Sequence, residues 1–87
     1  MRKIYYEILK GWFQTKLMQH RTTQCITQTK MAEIIAMDER SYIDLEHGKT
    51  CCSAVTLALF LTLCCENPTS VLEELHCAFE TGINEVA

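Results

Sequence analysis

Apolar residues recur near the start of the chain as Tyr5, Leu9, Trp12, Phe13 and Leu17, mostly three or four apart. That spacing lines one face of a helix and does not fit an alternating strand. It predicts a first helix over residues 4–20, with Trp12 and Phe13 in the core. A break or kink is expected at Gly11, because glycine inside a helix costs about 1 kcal/mol relative to alanine. The polar run 21–24 reads as a connection. Thr27 then stands where an N-cap belongs, its hydroxyl placed to accept the Lys30 amide. Met31, Ile34 and Ile35 give a second helix its buried face, Ala32 gives it a point of close approach, and the helix ends near Ala36.

The pattern continues in short periods. Asp38 offers a carboxylate cap to a third helix, Tyr42 and Leu45 share one side of it, and Gly48 supplies the left-handed residue that ends it. Ser53 caps a fourth helix over 54–65, stopped at Asn67-Pro68. A fifth, about 68–80, carries Val71, Leu72, Leu75 and Phe79, with Gly82 closing it. No stretch alternates with period two, and no Asn-Gly or Asp-Gly pair marks a hairpin. The expected class is therefore all-α, a compact five-helix single domain over 1–87. One segment does not fit a lone monomer: AVTLALFLTLCC is apolar almost all round, interrupted by Thr56 and Thr62. A surface helix keeps one wet face, so either helix 5 or a second copy across a two-fold axis is expected to cover this one.

Length, cysteines and charge narrow the function classes. Eighty-seven residues provide one modest core and too little chain for a deep cleft of their own. The first residues lack a continuous apolar core, and the fourth segment falls short of the roughly 20 residues that span a bilayer, so a cytoplasmic protein without membrane contact is expected. The six cysteines comprise two adjacent pairs, Cys51-Cys52 and Cys64-Cys65, with Cys25 and Cys77 alone. They read as reduced, small packing residues. A zinc site from Cys64, Cys65, His76 and Cys77 is the sharper alternative, but adjacent cysteines on a helix point about 100° apart. No metal, cofactor or catalytic role is expected: no nucleophile with a base, carboxylate pair or phosphate-cradling loop emerges, and His20, His47 and His76 are scattered. Net charge is -3, yet all eight Lys and Arg lie at or before Lys49, followed by five acids and no base. Any polyanion must be met by the first half.

Residues 26–49, ITQTKMAEIIAMDERSYIDLEHGK, combine Thr27-Gln28 at the start of helix 2, Met31-Ala32 within it, and Glu46-His47-Gly48 at the end of helix 3. With these motifs at these separations, the chain resembles the lambda-repressor-like (Xre/Cro) helix-turn-helix family over about residues 17–65. The resemblance implies a lambda-repressor-like fold with the helix-turn-helix at helices 2 and 3. It also implies sequence-specific binding of double-stranded DNA by a transcriptional regulator that is a homodimer, here through the apolar C-terminal half. It assigns Gln28 to the DNA backbone and to support of the reading helix, and places Glu39, Arg40 and Asp44 at base-facing positions. Thr29, Lys30, His47, Lys49 and Thr50 fall where phosphate contacts come, and Arg21 with Glu46 match the family's internal ion pair.

The departures concern backbone and charge. Cys25 and Ala36 stand where the family usually has glycine, and Cys51-Cys52-Ser53 replaces the bases and proline that often follow. Acids on a reading face penalise general attraction to DNA but retain selectivity: Arg40 suits guanine, and Glu39 or Asp44 can accept from the amino group of cytosine, each good pair giving about 1 to 3 kcal/mol of discrimination. The reading from another class is a protein-interaction module, antitoxin-like or adaptor, that keeps this scaffold and holds a protein partner with its apolar half. A thiol or metal sensor is a third reading, resting on cysteine abundance alone.

Overall fold

Each of the first three helices stops in the same way. The computed structural model, which describes residues 1–86, contains α1 (Arg2–Gln24), α2 (Gln28–Ile34), α3 (Glu39–Glu46), α4 (Ala54–Leu63) and α5 (Pro68–Val86). After α1, the Ile26 amide donates to the Arg21 carbonyl and the Cys25 amide to that of Thr22, both at 3.2 Å. After α2, Met37 donates to Ala32 at 3.0 Å and Ala36 to Glu33 at 3.1 Å; after α3, Lys49 donates to Asp44 at 2.9 Å and Gly48 to Leu45 at 3.1 Å. This is the Schellman ending, which needs a left-handed residue at its turn. Those residues are Cys25 (φ 55°), Ala36 (φ 54°) and Gly48 (φ 73°), only the last a glycine. Ile26 and Met37, one residue beyond the two strained positions, pack against the core, and that burial offsets the backbone cost.

The starts of α2, α3 and α4 fall where the sequence places them. Thr27 Oγ1 accepts from the Lys30 amide (3.1 Å), Asp38 Oδ2 from Ser41 (2.9 Å) and Ser53 Oγ from Thr56 (3.2 Å). The Ser41 amide also holds the Asp38 carboxyl below its ordinary range. Asn67 gives α5 a fourth cap of this kind, accepting from Ser70 at 3.3 Å.

Three expectations about helix extent are corrected. The first helix neither breaks at Gly11 nor ends at His20, but runs 23 residues through the polar stretch 21–24. Gly11 is exposed and helical, and its cost is small against the apolar face of α1. Helix 4 stops at Leu63, leaving Cys65 in the connection. Helix 5 does not close at Gly82 but passes through it to Val86. Gly82 serves instead as a point of close approach, where an added Cβ would overlap Ile8 of α1.

The fold is all-helical, with no strand among the described residues. Phe13 and Leu17 of α1, Met31 and Ala32 of α2, Ile35, Tyr42 and Leu45 of α3 and its approach, and Phe60 of α4 make the central cluster. The Phe13 and Phe60 rings meet edge to face with centroids 5.3 Å apart. α2 packs on α3, α3 packs on α1, and α5 lies antiparallel along α1, with Tyr5 against Phe79 at one end and Lys16 paired with Glu74 at the other. α5 therefore packs mainly on α1 and touches α4 over a smaller contact. The outer row of α4 stays open, with Val55 68% and Leu63 60% exposed. Helix 5 therefore covers α4 only in part: Phe60 and Leu61 are buried, and Val55 and Leu63 are not.

Candidate nucleic-acid interface

Beneath the candidate surface lies a charge pair whose carboxylate is buried. Arg21 leaves the last turn of α1 and reaches Glu46 at the end of α3: Nε donates to both carboxylate oxygens at 3.0 Å, and a terminal nitrogen donates to Oε1 at 2.5 Å. The remaining guanidinium nitrogen donates to the Ile26 carbonyl at 3.3 Å, tying the pair to the end of α1. Glu46 is only 1% exposed. Burial alone would raise its pKa, but hydrogen bonding from Arg21, with help from Tyr42 and Gln28, outweighs burial and lowers it. The Arg21 guanidinium is correspondingly held charged, chiefly by its hydrogen bond to Glu46. The Tyr42 hydroxyl beside them is buried without a partner of hydrogen-bonding geometry. Its own ionisation is pushed far up, mainly by burial.

This pair fixes the roll of α3. With Tyr42, Leu45 and Glu46 turned inward, Glu39, Arg40, Ser41 and His47 face out, and Asp44 is half-buried at their edge. Arg40 is 84% exposed as a side chain and lies 3.8 Å from Asp44 one turn on. Glu39 accepts from the Thr29 hydroxyl of α2 at 2.9 Å, joining the first turns of the two helices. Lys30 pairs with Glu33 of its own helix at 3.7 Å. Most charges on this face are thus matched locally, and exposed pairs of this kind contribute about 0 to 1 kcal/mol. Lys49 has no ion-pair partner among the described residues.

The structure brings Thr29, Glu39, Arg40 and Asp44 onto one surface around the start of α3. Gln28 is half-buried beneath it and turned toward Glu46. His47, Lys49 and Thr50 are exposed at the other end of α3, which at eight residues is about 12 Å long. Ser41, absent from the sequence-based set, is exposed beside Arg40; the 100° step from buried Tyr42 is the signal that would have found it.

Among the described residues the histidines and thiols form no metal centre. His76 pairs with Glu80, Cys77 is exposed, and among the described residues no three His, Cys, Asp or Glu side chains are placed to hold a metal ion. No described helix is long and apolar enough to cross a membrane. In comparisons with known proteins, no family model, curated protein or solved structure matches the chain.

Proposed function

We propose that this chain is a lambda-repressor-like transcriptional regulator that binds double-stranded DNA sequence-specifically as a homodimer. The observation that carries the reading is the α2–α3 unit: two short capped helices, a turn with Ala36 left-handed, and an α3 locked by an ion pair whose carboxylate is buried, so that Glu39, Arg40 and Ser41 face outward. A short helix braced from behind is what a major groove admits. The left-handed backbone at Cys25 and Ala36 supports it too, because the resembled family places glycine there.

Charge sets the character of the binding. Each phosphate neutralised adds about 0.9 to the slope of log affinity against log salt, and Lys30, Arg40 and Lys49 are too few for a strong monomer grip. Two copies double that set, and the open apolar row of α4 supports pairing between copies. The same row, with the acidic α5 beside it, supports the second reading, a module that holds a different protein.

Binding of the wild type and of Glu39→Gln/Asp44→Gln to a duplex selected from a random pool, and to scrambled DNA, across a salt series tests the proposal. The wild type should prefer the selected duplex at low salt. The double variant should bind scrambled DNA more tightly and discriminate less. A confirmed dimer without preference would overturn DNA reading in favour of the partner-binding module.

A further inference from the structure

The chain has two pairs of adjacent cysteines, and the fold treats them differently. Cys51 and Cys52 lie in the non-helical segment between α3 and α4, and both line one cavity of about 190 Å³ with Met37, Ser41, Leu45 and Thr56. The Cys51 thiol donates to the Tyr6 carbonyl at 3.9 Å, and Cys52 packs against the central cluster. Cys65 lines a groove with Lys16, His20, Phe60 and Val71, and Cys64 is not part of that lining.

We propose that Cys51 and Cys52 form a vicinal dithiol site for a trivalent arsenical, seated in the cavity between α3 and α4. The reaction is a condensation. With an organoarsenic oxide, two As–S bonds form while two S–H bonds and the As–O double bond break, and one water leaves with both protons and the oxygen. Arsenic stays trivalent, sulfur is not oxidised, and no further reactant is needed.

Chemistry separates this ligand class from a metal cation. Burial, then the neighbouring Cys51 thiol, pushes the Cys52 thiol up to about 12. A cation must displace the thiol protons, so tightly held protons weaken it; a condensation sends them out in water and escapes that penalty. Two sulfurs also leave zinc short of its usual four ligands, and no described group of three donors completes a set. Room is sufficient for an organic substituent beside Met37 and Leu45, since an apolar cavity of about 150 Å³ holds a benzene ring. The cavity wall includes Ser41 of α3, so an occupant touches the helix whose outer face is described above. The site itself does not depend on DNA binding.

Phenylarsine oxide added to the reduced full chain, with intact-mass detection, tests the proposal. One phenylarsenic group per chain is expected, resisting excess monothiol and removed by a dithiol. Cys64→Ser/Cys65→Ser should keep this adduct, whereas Cys51→Ser/Cys52→Ser should weaken it at least tenfold. The single variant Cys51→Ser, at a position outside the core cluster, should lose it equally while its circular dichroism stays unchanged. An adduct that survives Cys51→Ser, depends on Cys64 and Cys65, or fails to withstand monothiol overturns the site. Zinc should leave the melting temperature unchanged, and a chelator-reversible rise that Cys51→Ser abolishes would overturn the ligand class.

Discussion

The α1–α3 side and the α4–α5 side of this molecule use similar helices but finish them differently. On the first side the three helix ends are closed by paired carbonyls, and the buried carboxylate of Glu46 receives three close contacts from Arg21. On the second side α4 presents bare leucine and valine, and the matching inter-helix pair, Lys16 with Glu74, is partly solvated. Burial makes the difference. The two cations are similarly exposed, but Glu46 is buried and Glu74 is not: losing Arg21 strands a buried carboxylate, whereas losing Lys16 leaves one that water reaches at little cost. The first side is therefore held to one arrangement, and the second keeps a surface with no intramolecular partner.

The largest test of this contrast compares the two pairs. Arg21→Ala should destabilise the fold by about 3 to 5 kcal/mol in urea unfolding, because Glu46 is left buried and charged. Lys16→Ala should cost no more than about 1 kcal/mol. Equal losses would remove the distinction between the two sides.

Acid titration sharpens it. The pKa of Glu46 is lower in the folded chain than its ordinary 4.5, so its contribution is fully present above that value and is lost as pH falls through the folded pKa. Unfolding free energy should decline over this range in the wild type and decline less in Glu46→Gln. At the other extreme, the Cys52 thiol is raised from 9.0 to about 12, so stability should fall as pH rises across that interval, and Cys52→Ala should flatten the fall.

The smallest effects separate three backbone positions. Gly11→Ala should stabilise by about 1 kcal/mol, since nothing lies within 4 Å of the new methyl and the helix gains propensity. Gly82→Ala gains the same propensity but meets Ile8, with Cγ1 at 2.9 Å, and overpacking of about 1 to 3 kcal/mol should outweigh the gain. Ala36→Gly should stabilise by up to about 1 kcal/mol by relieving φ 54°. Thermal melts of the three variants check the signs.

Much of this architecture was legible in the chain. The caps Thr27, Asp38 and Ser53 are local devices, because a side-chain oxygen needs only the amide two or three residues on, and so helix starts fall where a reader of the sequence puts them. The inward face of α3 follows from Tyr42 and Leu45 at helical spacing; of the outward set, Glu39 and Arg40 are exposed, Asp44 is half-buried, and Ser41 was missed. The pairing of Arg21 with Glu46, 25 residues apart, came from family resemblance, and the structure brings the two into contact. Helix ends were harder to read. Cys25 and Ala36 adopt a conformation that their side chains disfavour, and what holds them there is the burial of Ile26 and Met37, contacts made with distant parts of the chain.

By itself, then, the sequence determined the helical class, the starts of three inner helices, the central apolar cluster and the uneven charge, all of which depend on residue type and short-range spacing. Tertiary structure alone decided that α1 runs unbroken through Gly11, that Gly82 is an interface position rather than a terminator, and that α5 lies along α1, leaving Val55 and Leu63 of α4 uncovered. It also decided that Cys51 and Cys52 line one cavity together and that Cys65 lines a groove elsewhere. The reason is common to all four. Each depends on which surface another helix occupies, and a helix with apolar residues on more than one side leaves that choice to the packing of the whole.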